Sequence, residues 1–388
     1  MNLVSIVIPA YNAERFIART LASAQAQTYE KLKIIVVDDG STDNTRSVVE
    51  AIAATDKRLE LISTPNRGVA RARNLGIENA RGPYVAFLDA DDLWHPTKIA
   101  RQVEALDTHR SDPSWGGVYS FRRTINEEDQ VVGTGPILAD CRGYVLARDL
   151  VLKFIGNGSS LLVHRDAAMA VDGFDPSYAD KGIGGCEDLD FELRLAARYR
   201  IETVRSFLVG YRMYQGNMSS DGSRMAKAMI ETIARHVKSN PSIAPRVQRW
   251  ALGGSYRYAF QVLLRERRLL PAAATYTKLL LNDPAVAMIT VMEVLRGGIS
   301  KRLGLGRPAG SPQAFLAMDP EAGKDDPVDT LTRMKQKRLA DEDRILGEEK
   351  FSSVLLHGTA ADEVFRPSER ASQASVTGVR QHHTERAR

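Results

Sequence analysis

Short apolar runs alternate with segments of helical periodicity along the first part of the chain. The runs are rich in β-branched residues, as buried strands are, and the segments between them repeat apolar positions every three to four residues, as helices do. This alternation predicts an α/β fold with a mostly parallel sheet flanked by helices. The predicted strands are Leu3–Ile8, Leu32–Val37, Leu59–Ser63 and Tyr84–Leu88, and the predicted helices include Glu14–Ala26, Val69–Asn79 and Pro96–Asp107.

Beyond the fourth strand the pattern becomes a mixture of extended and helical segments, and we place the end of a first domain, residues 1–220, where this mixture ends. Residues 221–305 have helical spacing and are expected to form a helical extension. Residues 306–388 are polar and charged, and are expected to be a linker and a disordered tail, with a candidate solvated helix at Lys335–Lys350. The further predicted strands are Gly117–Ile125, Gln130–Ile137, Ser159–His164 and Ile201–Tyr214, and the further helices Leu146–Phe154 and Asp188–Tyr199.

Carboxylates follow two of the predicted strands, in VVDDGSTD and in FLDADD, and a third acidic pair opens a predicted helix in CEDLDFELR. The carboxyl ends of parallel strands lie at one edge of a sheet, where ligands bind. Carboxylates at buried strand ends are costly unless a cation or hydrogen-bond donors compensate them. We therefore expect a site that binds a metal and a nucleotide and deprotonates a hydroxyl group.

The residue types at this edge suggest separate tasks. The Asp-x-Asp turn of Asp89 and Asp91 suits Mg²⁺ or Mn²⁺, which usually also bind substrate phosphates. Tyr11 is suited to stacking on a base, Asp39 to accepting a hydrogen bond from it, and Arg67 to neutralising phosphate. Strand-end Asp and Asn are also common turn and cap residues, and that interpretation is favoured for Asp38 and Asp43.

Composition narrows the class of protein without deciding it. The chain has 388 residues, 43% of them hydrophobic, and a net charge of +5. Two distant cysteines make a zinc site unexpected and fit a reducing cytoplasm. The first strand begins so near residue 1 that no signal peptide is expected. No nucleic-acid partner is expected, and a peripheral contact with the inner face of a membrane, through the apolar segment Ala285–Met292, stays open beside simple helix packing.

Together, in this order and spacing, the motifs resemble the family 2 glycosyltransferases of the GT-A fold. The resemblance extends from Val4 to Ser219 and includes SIVIPAYN, VVDDGSTD, NRGVARARNLG, FLDADDLWHPTK, the GFD of Gly173–Asp175, CEDLDFELR and YRMYQGNMS. It implies the inverting transfer of a sugar from a nucleotide sugar, with UDP first among the nucleotides, to an acceptor hydroxyl. It also implies a saccharide or lipid-linked saccharide acceptor and a role in polysaccharide or glycolipid assembly.

The resemblance also implies a role for each matching residue. Asp188 would be the general base and Glu187 would orient the acceptor, while Asp91 would hold Mn²⁺ or Mg²⁺ on the diphosphate. One position departs from the family, because Tyr214 stands where a metal-binding His is frequent, and Arg212 is expected to share the phosphate charge instead. The residues expected around the donor are Pro9, Tyr11, Asp39, Asn66, Arg67 and Asp89, the last of them shared by ribose and metal.

Alternatives from other classes stay open on the residues alone. A phosphohydrolase of the haloacid dehalogenase type also places an Asp-x-Asp after a strand, but its further Lys and acids cannot be located here. A nucleotidyltransferase would need a glycine-rich loop where the chain has Pro9-Ala10-Tyr11-Asn12. A non-catalytic nucleotide-sugar-binding protein would have no use for a base such as Asp188.

Overall fold

The computed structural model describes residues 1–137, 141–302, 313–324 and 330–356. The strands of this part join in one sheet in the order β3-β2-β1-β4-β8-β6-β9-β5, with β7 paired to β6. The strands are β1 Val4–Ala10, β2 Leu32–Asp38, β3 Leu59–Ser63, β4 Tyr84–Phe87, β5 Leu93–Trp94, β6 Trp115–Ile125, β7 Val131–Thr134, β8 Leu161–His164 and β9 Arg200–Arg212.

Helices cover the sheet and continue beyond it. All but two short ones, α6 and α7, fall in segments where helical spacing was expected. They are α1 Ile17–Gln25, α2 Thr45–Ala53, α3 Val69–Asn79, α4 Lys98–Asp107, α5 Leu146–Leu152, α6 Arg165–Ala170, α7 Ser177–Asp180, α8 Glu187–Arg198, α9 Gly222–Ser239, α10 Pro245–Arg265, α11 Leu269–Asn282, α12 Pro284–Arg302 and α13 Thr330–Leu356.

The prediction of a mostly parallel sheet with flanking helices is confirmed. Strands β1 to β4 run parallel to one another, and β6 and β9 run parallel to each other. Strand β8 is antiparallel to both β4 and β6, and β5 and β7 are reversed as well, so the second half of the sheet is mixed. Apolar periodicity identifies strands but carries no information on direction, which explains why the sequence did not distinguish these three.

The hydrophobic core lies on both faces of the sheet. Side chains alternate between faces along a strand, so β1 contributes Val7 to one cluster and Ile6 and Ile8 to the other. All three are fully buried. A strand that is covered on both faces reads as a continuous apolar run, which is why β1 and β2 were easy to predict.

The two-residue strand β5 was not predicted. It pairs with β9 through Leu93 and Gly210 and through Trp94 and Val209. This pairing folds the chain that follows Asp89 and Asp91 back onto the sheet edge. The acidic turn is therefore held at both of its ends.

The expectation for residues 306–388 needs correction where the structure describes them. Residues 313–324 pack against the β6–β7 turn and β9 instead of leaving the protein. The Phe315 amide donates to the Asp129 carbonyl at 2.8 Å, and the Phe207 amide donates to the Pro320 carbonyl at 2.8 Å. The predicted linker at Pro308–Pro312 and residues 357–388 lie outside the described residues.

Helix α13 includes the predicted Lys335–Lys350 but is docked rather than solvated. Its Asp343 carboxylate lies 2.6 Å from Arg148 Nε of α5, and both side chains are buried. Lys335 lies 2.6 Å from the buried carboxylate of Asp283 at the start of α12. Composition counts these charged residues as polar and does not reveal that they pair with buried partners. The sequence therefore predicted a solvated helix here.

Phe315 provides a test of how firmly residues 313–324 are packed. Its ring is 1% exposed and lies in a cluster with Leu93 and Ile125, whereas the neighbouring Leu316 is 51% exposed. Phe315→Ala is expected to lower the free energy of unfolding by about 3–5 kcal/mol, as deletion of a buried ring does. The matched Leu316→Ala should change it by less than about 0.5 kcal/mol. Urea unfolding measures both, and equal losses would contradict this packing.

Candidate active site

The polar residues that follow β1, β2 and β4 lie together at one edge of the sheet. These three strands are neighbours and run in the same direction, so Tyr11, Asp39 and Asp89 meet there as expected. The Asp39 amide donates to the Ala10 carbonyl at 2.8 Å, which ties the ends of β1 and β2. Tyr11 presents a half-exposed ring, while Pro9 is buried within β1 and can contribute only to the shape of the strand end.

Asp39 organises a cavity beside this edge. Its carboxylate is buried and accepts hydrogen bonds from the Arg67 amide at 2.9 Å and the Gly68 amide at 2.8 Å. These bonds fix the loop between β3 and α3, which forms part of the wall of a cavity of about 420 Å³. The cavity has the size of a small-ligand pocket. Its lining includes Asp39, Thr64, Pro65, Arg67 and Arg71.

Asn66 reaches the edge because a glycine allows a close approach. Gly40 has a φ of +76°, and a side chain there would lie 2.6 Å from the Asn66 backbone nitrogen. Any other residue at position 40 would push the Asn66 loop away and strain the turn. Asn66 itself is exposed.

Asp92, which the sequence analysis did not select, anchors the acidic turn. Its fully buried carboxylate accepts hydrogen bonds from Ser159 Oγ at 2.6 Å, Asn157 Nδ2 at 3.0 Å and the Arg212 amide at 2.8 Å. Burial, together with the charges of Asp91 and Asp89, raises the pKa of Asp92 well above its usual value. Asp92 therefore holds the turn in place.

Asp91 is half-buried, and its surroundings act on it in opposite directions. Burial and the charge of Asp89 raise the pKa of Asp91 to about 6, while a hydrogen bond from Tyr214 and the charge of Arg212 lower it. The pKa of the Tyr214 phenol is itself raised by burial and by Asp91, so it stays protonated as a donor. Tyr214 therefore donates a hydrogen bond to Asp91, whereas a His at this position would bind the metal beside Asp91.

Arg73 joins the acidic turn to the acidic pair of α8. Its guanidinium is buried and lies 2.5 Å from Asp89 Oδ1 and 3.7 Å from Glu187 Oε1. It also packs over the Phe174 ring, with 5.0 Å from its Cζ to the ring centroid. A buried cation between two carboxylates fixes the distance between β4 and α8, so the two acidic clusters form one site.

Glu187 and Asp188 begin α8 but occupy different environments. Glu187 is buried and accepts a hydrogen bond from the Gly185 amide at 2.7 Å, whereas Asp188 is half-buried and accepts one from the Leu189 amide at 2.8 Å. Burial and the charge of Glu187 raise the pKa of Asp188 to about 7, with Arg73 opposing them. A carboxylate with a pKa near neutrality is suited to proton transfer.

Arg212 does not occupy the position expected of a phosphate ligand. Its side chain is buried, with Nε donating to the Asp91 carbonyl at 2.6 Å, Nη1 to the Asn126 carbonyl at 2.6 Å and Nη2 to the Asp129 carboxylate at 2.5 Å. Each guanidinium nitrogen thus donates to the protein. Arg212 supports the acidic turn from behind, and its guanidinium is not placed to share the phosphate charge as expected.

Comparison with known proteins identifies the family to which the first part of the chain is similar. Residues 5–149 match the family model described as glycosyl transferase family 2. Residues 5–149 form a glycosyltransferase family 2 domain. They include the edge residues Tyr11, Asp39, Asn66 and Arg67 and the acidic turn, whereas the acidic pair of α8 follows the matched segment.

Relatives of this glycosyltransferase domain are matched over part of their length. The chain is 42% identical over 120 residues to the Escherichia coli UDP-Glc:alpha-D-GlcNAc-diphosphoundecaprenol beta-1,3-glucosyltransferase WfaP. The matched residues make up 31% of this chain and 47% of WfaP. It is 33% identical over 228 residues to an uncharacterised glycosyltransferase of Nostoc sp., 55% of this chain and 66% of that protein. The chain thus spans less than half of WfaP.

The fold of the glycosyltransferase domain also occurs in a solved structure. S. aureus TarS superimposes with a TM-score of 0.51 and 18% identity, over 66% of this chain and 43% of TarS. At this identity the likeness concerns the fold alone. The mixed sheet with its flanking helices is the GT-A fold that the motifs predicted.

Tyr214 offers a test of the electrostatics of the acidic turn in this glycosyltransferase domain. Its hydroxyl stabilises the ionised form of Asp91, so Tyr214→Phe is expected to raise the pKa of Asp91 above its value of about 6. Carboxyl-carbon NMR of aspartate-labelled protein measures the shift. Tyr256→Phe on α10 removes the same atom elsewhere and should leave Asp91 unchanged. An unaltered pKa in Tyr214→Phe would show that the phenol does not act on Asp91.

Proposed function

We propose that the chain is an inverting glycosyltransferase, which moves a sugar from a nucleoside diphosphate sugar to an acceptor hydroxyl. The observation that carries this proposal is that two acidic clusters, one suited to a metal and the other to proton transfer, are joined through Arg73. One cluster, with Asp89 and Asp91, lies at the same edge of the sheet as Asp39. The other presents Asp188, whose pKa of about 7 suits a base.

The donor would lie along the sheet edge. The cavity that Asp39 organises is proposed to take the base and ribose, with Tyr11 stacking on the base and Asn66 and Arg67 beside it. Because the Asp39 carboxylate already accepts two backbone amides, it acts chiefly by shaping this pocket. UDP is the proposed nucleotide, since the name of the relative WfaP specifies UDP-Glc as donor.

The acidic turn fits a divalent metal such as Mn²⁺ or Mg²⁺. Burial and the nearby charge of Asp89 disfavour the ionised form of Asp91, and a cation would relieve that repulsion. Among the described residues, no three His, Cys, Asp or Glu side chains come together as a metal site. Mg²⁺ and Mn²⁺ commonly take one or two carboxylates and complete their shell with water and substrate phosphates. Bound by Asp91 and Asp89, the ion would stabilise the charge on the departing diphosphate.

The transfer itself needs one base and no protein nucleophile. Asp188 accepts the acceptor's hydroxyl proton while the hydroxyl oxygen bonds to the anomeric carbon. The bond between that carbon and the diphosphate oxygen breaks at the same time, and its electron pair leaves with the nucleoside diphosphate. Asp188 then releases its proton to water. Glu187, held by Gly185 and Arg73, orients the acceptor side of the site.

The acceptor is proposed to be a saccharide or a lipid-linked saccharide. The name of WfaP specifies a sugar on diphosphoundecaprenol, and another relative, 38% identical over 133 residues, is the Escherichia coli chondroitin synthase. These names describe those proteins. For this chain they support a role in polysaccharide or glycolipid assembly.

Donor binding can be tested by thermal shift with UDP-, GDP- and dTDP-sugars, each with Mn²⁺ or with chelator. A ligand at a hundredfold excess over its Kd stabilises the folded state by about 2.7 kcal/mol. One nucleotide sugar should stabilise the wild type in a metal-dependent way, and Asp91→Ala should lose that effect. The exposed Asp166→Ala on α6, at the opposite end of the sheet, is the matched control. No stabilisation by any donor would contradict the proposal.

The base can be tested by the pH dependence of kcat/KM. A base must be ionised, so activity is expected to rise with pH through about 7, the pKa of Asp188. Glu187→Gln removes a charge that raises this pKa, and the acid limb should move to lower pH. Asp188→Asn should lower kcat by about 10²–10⁴-fold. The exposed Glu104→Gln on α4 serves as control, and an acid limb that survives in Asp188→Asn would rule out Asp188 as the base.

A further inference from the structure

Helices α11 and α12 expose an apolar surface that the catalytic site does not use. Six large side chains on them are between 54% and 86% exposed within the part of the chain that the structure describes. Soluble proteins rarely expose large contiguous apolar patches unless these bind a partner or a membrane. The six are Leu269, Leu270, Leu281, Met288, Met292 and Leu295, and we refer to this surface as the α11–α12 face.

The exposed residues follow helical periodicity, so they form stripes rather than scattered points. Leu270 and Leu281 are eleven residues apart, which is about three turns, and lie on the same side of α11. Ala285, Met288, Met292 and Leu295 have the three- and four-residue spacing of one side of α12. Opposite sides of the two helices contribute Leu279 and Ala287 to the protein interior. Each helix is therefore apolar on its inner and on its outer side.

Basic residues accompany the α11–α12 face. Arg265, Arg267 and Arg268 are exposed immediately before Leu269, and Lys278 is exposed within α11. Between positions 265 and 302 the sequence has seven Lys or Arg and three Asp or Glu, which gives a net charge of +4. One of the three acids, Asp283, is buried against Lys335. An apolar surface with a positive border matches an anionic lipid surface in both respects.

We propose that the α11–α12 face docks the protein on an anionic lipid bilayer, with the leucines and methionines in the interface and the arginines at the headgroups. No helix among the described residues is long and apolar enough to cross a bilayer, so the contact would be peripheral. A second copy of the chain docked on the same face would bring two positive borders together, and these would repel each other. Residues 357–388 contain only four large apolar residues, too few to cover the face: Val364, Phe365, Val376 and Val379.

The position of the face relative to the active site gives the docking a use. A cavity of about 620 Å³ lies between α9, α10 and the start of α11, and its lining includes Gly182, Arg224 and Arg268. Arg224 donates to the Gly184 carbonyl at 3.1 Å, in the segment that leads into Glu187. If the proposed glycosyl transfer holds, an acceptor carried by a membrane lipid would reach Asp188 from this side. The docking itself does not depend on that step.

Vesicle flotation of the full chain tests the proposal. We expect binding to phosphatidylcholine vesicles with about 30% phosphatidylglycerol, and weaker binding to pure phosphatidylcholine or at high salt. The double variant Leu270→Glu with Leu281→Glu should bind anionic vesicles at least about tenfold more weakly. Val132→Glu on β7, where the native side chain is also exposed and apolar, is the matched control and should bind like the wild type.

Two further measurements separate the outcomes. Thermal shift with the nucleotide sugar should be the same in the double variant and the wild type, which keeps failure of docking distinct from failure of the transferase proposal. Sedimentation velocity detects self-association. A wild type that does not float on anionic vesicles, a double variant that floats equally well, or a dimer that the double variant dissociates in place of lipid binding would each overturn the proposal.

Discussion

The site depends on one buried guanidinium. Arg73 lies between Asp89, at the end of β4, and Glu187, at the start of α8, with the Phe174 ring beneath it. Removing a cation from water is costly, and here the cost is offset only because both carboxylates and an aromatic face surround it. Without this cation, two acidic clusters would repel each other across the cleft. Arg73 therefore makes possible a candidate active site that is acidic on both sides.

The same arrangement separates the behaviour of carboxylates that are close in space. Asp92 is buried and occupied by three donors, Asp91 has a pKa of about 6, and Asp188 has one of about 7. Burial raises the pKa of all three, and the neighbouring donors and cations decide by how much. In the proposed reaction, a carboxylate that ionises below neutrality suits a metal, and one that titrates near neutrality suits a base. Environment, rather than residue type, divides the roles.

Sequence reasoning predicted correctly which residues meet at the edge of the sheet, because this follows from strand ends, and it failed where tertiary contacts decide. Asp39, Asp89 and Asp91 were predictable because each follows a buried strand, and parallel strands bring such residues to one edge. Asp92 could have been selected from the run of acids around it. Arg212 was misassigned because a conspicuous arginine near an acidic turn looks the same whether it faces the ligand or supports the turn. Residues 313–324 and α13 were mistaken for solvated chain because the residues that they contact are distant in sequence.

Tyr214 shows how one substitution changes what the protein alone can bind. A His at this position adds a ligand, whereas a protonated phenol adds a hydrogen bond to Asp91 and no ligand at neutral pH. In the proposed function, two carboxylates, one of them already paired with Arg73, would form only a weak site for a divalent ion in the absence of phosphate. The metal would therefore be held by the diphosphate of the nucleotide sugar as much as by the protein. Affinity for the metal would then depend on the donor, and the acidic turn would serve the donor complex more than the free ion.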